Sequence, residues 1–177
     1  MTTRILLAGF GGQGILFAGK QLAATGMEHN MQVSWLPSYG PESRGGTSNC
    51  SVIIADEPIG SPIVNTPDIL VAMNLPSLDK FEPAVASGGT VFVDSALIPR
   101  KLARTDLKAV YIPATQLASD QDLNGFANVI ILGKLIRETG LFDVDGFLAH
   151  LVGSIPPAKA ALIEKNKTAF MLGANLS

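Results

Sequence analysis

The stretch Arg4-Ile-Leu-Leu-Ala-Gly-Phe-Gly-Gly-Gln-Gly14 decides the fold of this 177-residue chain. Its first half, residues 4–8, is a short apolar run that stops at a glycine, which is the pattern of a strand buried on both faces. A helix is predicted from about residue 15 to residue 28, because Ile15, Ala18 and Leu22 fall roughly on one helical face. The chain therefore begins with a strand, a glycine-rich loop and a helix.

Short apolar runs and helical segments alternate along the following residues. We predict further strands at 32–36, 50–55, 69–73, 90–93 and 109–112, and further helices at 75–87, 126–138, 143–152 and 158–172. Such alternation favours an α/β fold with a mainly parallel sheet. No helix separates the two strands between 32 and 55, which predicts one antiparallel pair. The helical C-terminal third is too short for a separate domain, so we expect one domain, 1–177.

Composition excludes several classes of protein. The single cysteine, Cys50, cannot form an internal disulfide, and an iron–sulfur cluster needs about four thiolates. His29 and His150 lie far from it in sequence, so we expect no metal site in this chain. One free thiol without a secretory framework indicates a reducing cytoplasm.

The chain has few charged residues, which indicates a subunit of a larger assembly. Only 16% of the residues are charged and 47% are hydrophobic, whereas about 25% are charged in a typical domain. We therefore expect apolar surface that a partner covers. The net charge of −2 gives no basic surface for nucleic acid. No run approaches ~18 apolar residues, so we expect no contact with a membrane.

The glycine loop has two interpretations. Gly9, Gly11 and Gly14 satisfy the pattern G-x-G-x-x-G between a strand and a helix, where backbone amides and the helix N-terminus can bind an anion. The same glycines also suit a tight strand–helix turn. A dinucleotide site is less favoured, because it needs an acidic residue ~20 residues further on, and the second strand ends in Leu36-Pro37-Ser38 instead. Gln13 either donates to a phosphate or ties the loop to its neighbour.

A second loop, Tyr39-Gly-Pro-Glu-Ser-Arg-Gly-Gly-Thr47, should leave the carboxyl end of the second strand beside the first loop. Ligands of parallel α/β sheets bind at that edge. Arg44 can clamp a carboxylate or phosphate, or pair with Glu42 or with a carboxylate across an interface. The two loops together supply the candidate cofactor-binding residues: Gly9, Gly11, Gly12, Gln13, Gly14, Tyr39, Arg44 and Gly45. No nucleophile with an evident base is found, so no catalytic residue is predicted.

Taken together, the two loops resemble those of the gamma subunit of 2-oxoacid:ferredoxin (or acceptor) oxidoreductases. The segment Asp68-Ile-Leu-Val-Ala-Met-Asn74, the Gly88-Gly89 and Asp94-Ser95 pairs, and Asn128 with Leu132-Gly133 are similar to that family as well. The likeness covers nearly the whole chain. The 2-oxoglutarate type is the most similar, and the pyruvate, branched-chain and indolepyruvate types are related.

The resemblance implies a Rossmann-like, three-layer domain within a cytoplasmic, multi-subunit oxidoreductase that oxidatively decarboxylates a 2-oxoacid to an acyl-CoA. It implies alpha and beta partner subunits, with a delta subunit as a further candidate, and ferredoxin as an indirect partner. Thiamine diphosphate and the iron–sulfur clusters belong to those partners. The resemblance implies that this chain is a subunit that helps to assemble the complex and is not catalytic on its own. It also makes the chain a candidate to contact coenzyme A. Two other functions stay open: a stand-alone dinucleotide-binding oxidoreductase, and a structural subunit whose glycine loops dock a partner.

Overall fold

The computed structural model describes residues 1–39 and 47–177. They form two compact units, Met1–Ile112 and Pro113–Ser177. The first unit contains all six strands and the second contains helices only. The expectation of one domain over the whole chain stays a prediction.

The first unit is built on a six-stranded sheet. Its strands are β1 (Thr2–Phe10), β2 (Gln32–Tyr39), β3 (Thr47–Ala55), β4 (Ile69–Ala72), β5 (Thr90–Asp94) and β6 (Lys108–Ile112). Their order in the sheet is β2-β3-β1-β4-β5-β6. Strands β1, β4, β5 and β6 are mutually parallel, whereas β3 pairs antiparallel with both β1 and β2. The mainly parallel sheet and the antiparallel pair between residues 32 and 55 are therefore confirmed.

Two helices accompany this sheet. Helix α1 (Ile15–Glu28) has the predicted bounds. Helix α2 (Leu75–Phe81) follows β4 and continues only as a 3-10 turn, Glu82–Ala84. The prediction that this helix reaches residue 87 was wrong, because Pro83 lacks an N–H and Gly88 adopts a left-handed φ of 79°.

The two helices lie on opposite faces of the sheet. A Cβ at Gly19 of α1 would contact Cys50, which is paired with Leu7 of β1. Leu6, on the other face of β1, packs in one cluster with Leu78 of α2. The first unit is thus three-layered, and the connections after the neighbouring strands β1 and β4 turn to opposite faces. Such a switch point opens a crevice at the carboxyl ends of the strands, where α/β sheets bind ligands.

The second unit comprises four helices: α3 (Ala114–Asp120), α4 (Ala127–Thr139), α5 (Val144–Gly153) and α6 (Ala161–Ala174), with a 3-10 turn at Pro157–Lys159. The sequence did not predict α3. Helices α4 and α6 approach so closely that a Cβ at Gly133 would overlap the carbonyl oxygen of Phe170. A Cβ at Gly173 would likewise overlap the carbonyl oxygen of Ile130. Within the described parts of the chain, no helix has the length and apolar character needed to cross a bilayer.

Candidate functional site

The glycine loop joins the carboxyl end of β1 to the N-terminus of α1, at the switch point between β1 and β4. Gly12 and Gly14 adopt φ values of 90° and 76°. These values lie in the left-handed region, which only glycine enters without strain. Two of the predicted site residues are therefore needed as glycines for the turn itself, whatever the loop binds.

Gln13 fastens this loop to the neighbouring strand. Its Oε1 accepts a hydrogen bond from the Phe10 N–H at 2.6 Å, and its Nε2 donates to the Met73 carbonyl at 2.9 Å. The Met73 N–H in turn donates to the Ala8 carbonyl at 2.9 Å. Of the two roles open to Gln13, the structure shows the tie between loop and neighbour. One hydrogen of the Nε2 amide is not used in this tie.

Gly9 is required for close packing beneath the loop. A Cβ at this position would lie 2.5 Å from Gln13 Oε1, 3.0 Å from Ile15 Cδ1 and 3.1 Å from Met73 Cβ. Any larger residue would therefore displace the Gln13 side chain from its two hydrogen bonds. The tight-turn interpretation of the motif is sufficient to explain this glycine.

Gly11 and Gly12 differ from Gly9, because both face open space. A Cβ on either would meet nothing within 4 Å. The backbone at Gly11 also lies outside the left-handed region, so neither packing nor conformation requires a glycine there. What a glycine does provide at that position is an uncovered backbone, which a ligand's anionic group can approach closely.

The N-terminus of α1 adds positive electrostatic potential to this loop. No side chain caps the helix by a hydrogen bond, and its first turn contains no acidic residue. The partial positive charge of the helix dipole is therefore not offset by a carboxylate of the first turn. Together with the open backbone of Gly11 and Gly12, this arrangement suits a phosphate or carboxylate.

The second loop begins and ends beside the first. Phe10 is paired with Thr47 and Tyr39 with Ser48, so both ends of the loop lie at the carboxyl edge of β1. This confirms that the chain enters and leaves the second loop next to the glycine loop. Arg44 and Gly45 lie outside the described residues, and their binding roles stay predictions, as does that of Tyr39.

Cys50 is sealed inside the first unit. Its Sγ donates to the Ile15 carbonyl at 3.6 Å, and burial raises the pKa of the thiol to about 12. Across residues 1–39 and 47–177, no three His, Cys, Asp or Glu side chains come together as metal ligands. The described residues therefore do not fit an iron–sulfur cluster, which takes about four thiolates.

Two polar side chains at the same edge of the sheet accept hydrogen bonds from the backbone. Asn74 Oδ1 accepts from the Ser77 N–H at 2.8 Å and caps α2. Asp94 Oδ1 accepts from the Ala96 N–H at 3.2 Å in the turn after β5. The sequence did not reveal that Gln13 binds the Met73 carbonyl. Such a partner has no sequence signature, because every residue has a main-chain carbonyl.

An α/β unit with a glycine loop at its switch point belongs to the Rossmann-like class of domains. The chain itself belongs to the pyruvate ferredoxin/flavodoxin oxidoreductase family, whose model matches residues 4–176. The 2-oxoglutarate synthase subunit KorC of Methanocaldococcus jannaschii is 39% identical over 176 residues, which is 98% of this chain and 92% of KorC. The resemblance seen in the sequence is thereby confirmed.

The ketoisovalerate oxidoreductase subunit VorA of Methanothermobacter marburgensis is 44% identical over 133 residues, or 75% of this chain. That match covers 28% of VorA, so the chain spans less than a third of this relative's length. KorC and VorA are thus similar to this chain over very different shares of their own lengths.

Solved structures agree on the fold. The gamma subunit of a keto/oxoacid ferredoxin oxidoreductase from Geobacter sulfurreducens PCA superposes with a TM-score of 0.83 at 29% identity, covering 97% of this chain and 96% of that one. A 2-oxoglutarate:ferredoxin oxidoreductase from Magnetococcus marinus, solved with 2-oxoglutarate, coenzyme A and succinyl-CoA, gives a TM-score of 0.86 at 21% identity. It covers 99% of this chain and 32% of that chain, and this second likeness concerns the fold alone.

Proposed function

We propose that this chain is the gamma subunit of a multi-subunit 2-oxoacid:ferredoxin (or acceptor) oxidoreductase, with 2-oxoglutarate as the favoured substrate. The observation that carries the proposal is the match to KorC along nearly the full length of both chains. The Geobacter gamma subunit, which has the same fold over almost its whole length, supports the same role. In this role the complex oxidatively decarboxylates a 2-oxoacid and transfers the acyl group to coenzyme A.

The chemistry of electron transfer is assigned to other subunits. Cys50 is buried, and no three metal-ligating side chains come together among the described residues. The iron–sulfur clusters, like thiamine diphosphate, are therefore proposed to reside in alpha and beta partners or in a delta subunit. Ferredoxin is then an indirect partner. We place the complex in the cytoplasm, because the only thiol in the chain is a free cysteine.

Within the complex, the glycine loop is proposed to contact the phosphates of coenzyme A. Coenzyme A supplies the thiol that accepts the acyl group. The backbone amides of Gly11 and Gly12 would donate to its phosphate oxygens, and the α1 N-terminus would favour their charge. Gln13 would hold the loop in place through its bond to Met73.

A charge placed in the open space at Gly11 tests this contact. Gly11→Glu puts a carboxylate beside the proposed phosphate site, and Gly11→Gln adds the same bulk without charge. In the assembled complex we expect Gly11→Glu to raise the KM for coenzyme A about 10-fold more than Gly11→Gln does, since like charges repel.

The KM for the 2-oxoacid and the subunit stoichiometry serve as controls, and both should stay unchanged. Equal KM values for coenzyme A in the two variants would refute the phosphate contact while leaving the role as gamma subunit intact. Loss of subunits from the Gly11→Glu complex, with unchanged affinity for coenzyme A, would instead favour a loop that docks a partner.

A further inference from the structure

A cleft of about 340 Å³ lies at the amino end of β1, at the opposite end of this strand from the glycine loop. Alternate residues of two paired strands form its floor, since Thr2 is paired with Ala55 and Arg4 is paired with Ile53. Because side chains alternate between the faces of a sheet, these four side chains lie on the same face. The chain that follows β3, between residues 58 and 63, supplies the wall. The volume falls within the range of small-molecule sites, about 300–1,000 Å³.

Arg4 supplies this cleft with a cation that no carboxylate among the described residues pairs with. The other arginines that the structure describes are engaged: Arg100 and Arg104 form ion pairs, and Arg137 donates to a main-chain carbonyl. Arg4 contacts a carboxylate only through its main chain, where its N–H donates to Asp68 Oδ2 at 2.8 Å. The five N–H donors of its guanidinium are therefore available to a ligand.

The acidic residues beside the cleft limit the charge of the anion that it can accept. The Asp68 carboxylate is held by the Arg4 N–H, and Asp56 Oδ1 lies 2.7 Å from the Met1 amino group. Glu57 adjoins the wall in sequence. Three carboxylates thus accompany two cations, so a doubly charged phosphate is repelled more strongly than a singly charged carboxylate.

Apolar side chains form much of the floor and part of the wall. Ile53 is 3% exposed and Ala55 is 1% exposed, whereas Ile63 on the wall is 60% exposed. Two hydroxyl groups, those of Thr2 and Ser61, belong to the same lining. Ser61 Oγ accepts from the Ile63 N–H at 3.2 Å, and the hydroxyl hydrogen is not used in that bond. A guanidinium beside an apolar floor matches a molecule with one carboxylate and a short hydrocarbon body.

We propose that this cleft binds a small monocarboxylate, whose oxygens accept from the Arg4 guanidinium and whose hydrocarbon body lies against Ile53 and Ile63. The planar fork of a guanidinium fits both oxygens of a carboxylate at once. The site lies at the amino end of β1 and the glycine loop at its carboxyl end, so the two ligands do not compete. The proposal therefore does not depend on the proposed function.

Titration of the full chain with isocaproate, followed by nuclear magnetic resonance, tests the site. Isocaproamide has the same hydrocarbon body without the charge, and inorganic phosphate has the charge without the body. We expect saturable shifts of the Ile53 and Ile63 resonances with isocaproate. Isocaproamide and phosphate should bind about 10-fold more weakly or worse, because the first lacks the charge-assisted hydrogen bonds and the second lacks the apolar contact.

A matched pair of substitutions identifies the cation. Arg4→Gln removes the charge and keeps the main-chain N–H that binds Asp68. Lys165→Gln removes a positive charge from an exposed position in the second unit. Arg4→Gln should weaken isocaproate binding about 10-fold or more and leave isocaproamide binding unchanged, whereas Lys165→Gln should change neither.

Three results would overturn the proposal. One is a wild-type chain whose Ile53 and Ile63 resonances show no saturable shift at tens of millimolar isocaproate. Another is equal affinity of the wild type and Arg4→Gln for isocaproate, and the third is equal binding of isocaproate and isocaproamide by the wild type. Shifts confined to the glycine loop count as the first result, because they assign the carboxylate to the other end of β1.

Discussion

At the scale of single residues, Gly9 and Gly11 belong to one motif but are glycines for different reasons. Gly9→Ala would push a methyl group against Gln13 Oε1, Ile15 and Met73. We expect it to lower the free energy of unfolding by about 1–3 kcal/mol, as overpacking does. Gly11→Ala, whose methyl group meets nothing, should stay within about 0.5 kcal/mol of the wild type. Urea unfolding of the two full-length variants measures both, and equal losses would contradict the assignment.

Cys50 gives a prediction for high pH. Its pKa is about 12 in the folded chain and about 8.5 in an unfolded one. Below pH 8.5 the thiol is protonated in both the folded and the unfolded state, so it adds no pH dependence to the free energy of unfolding. Above it the unfolded state releases the proton first, and the free energy of unfolding falls by up to about 1.4 kcal/mol per pH unit. Urea unfolding between pH 8 and pH 10 should show a steeper fall for the wild type than for Cys50→Ala.

The sequence predicted the glycine motif but not the separate roles of its residues. The positions of Gly9, Gly11 and Gln13 are visible in the sequence as a pattern. The distinction among them depends on Met73, about 60 residues further on, which approaches Gly9 and accepts from Gln13 only in the folded sheet. A contact to a main-chain carbonyl cannot be inferred from the identities of the residues. The role of Arg44 stays a prediction.

At the scale of elements, the crossing of α4 and α6 depends on two glycines in backbone contact. Gly133→Ala would overlap the Phe170 carbonyl and lie 2.8 Å from the Ala174 nitrogen. Because backbone atoms cannot move aside as a side-chain end can, we expect a loss of about 3 kcal/mol or more, at the upper end of overpacking. Gly153→Ala, at the end of α5 and in open space, should be neutral or stabilising by up to about 1 kcal/mol. Thermal unfolding of both variants is the measurement.

The sequence predicted elements well wherever periodicity extended over enough residues. Helix α1 was predicted with its observed bounds because its apolar face recurs over four turns. Helix α3 was missed, since seven residues after Pro113 give too short a window for a period of 3.6. The helix after β4 was predicted too long, since the chain continues past Phe81 only as a 3-10 turn that contains Pro83.

At the scale of the whole molecule, low charge and one buried cysteine predict a chain that depends on partners. We expect the purified chain to reduce no ferredoxin in the presence of 2-oxoglutarate and coenzyme A, and the complex reconstituted with its partner subunits to do so. Ferredoxin reduction followed by absorbance measures this. The Gly153→Ala chain, which is altered outside the proposed coenzyme A site, is the control for reconstitution. Turnover by the chain alone would contradict the proposed role as a subunit.

The bond between Gln13 and the Met73 carbonyl also has a consequence for folding. The strand–loop–helix segment of residues 2–28 is local in sequence, but the loop within it is fixed by a partner 60 residues away. Closing such a distance costs chain entropy, which must be offset by the docking of β4 onto β1. We therefore expect the loop to reach its final geometry only after the two strands have joined. During synthesis, Gln13 can form its bond to the Met73 carbonyl only once Met73 has left the ribosome.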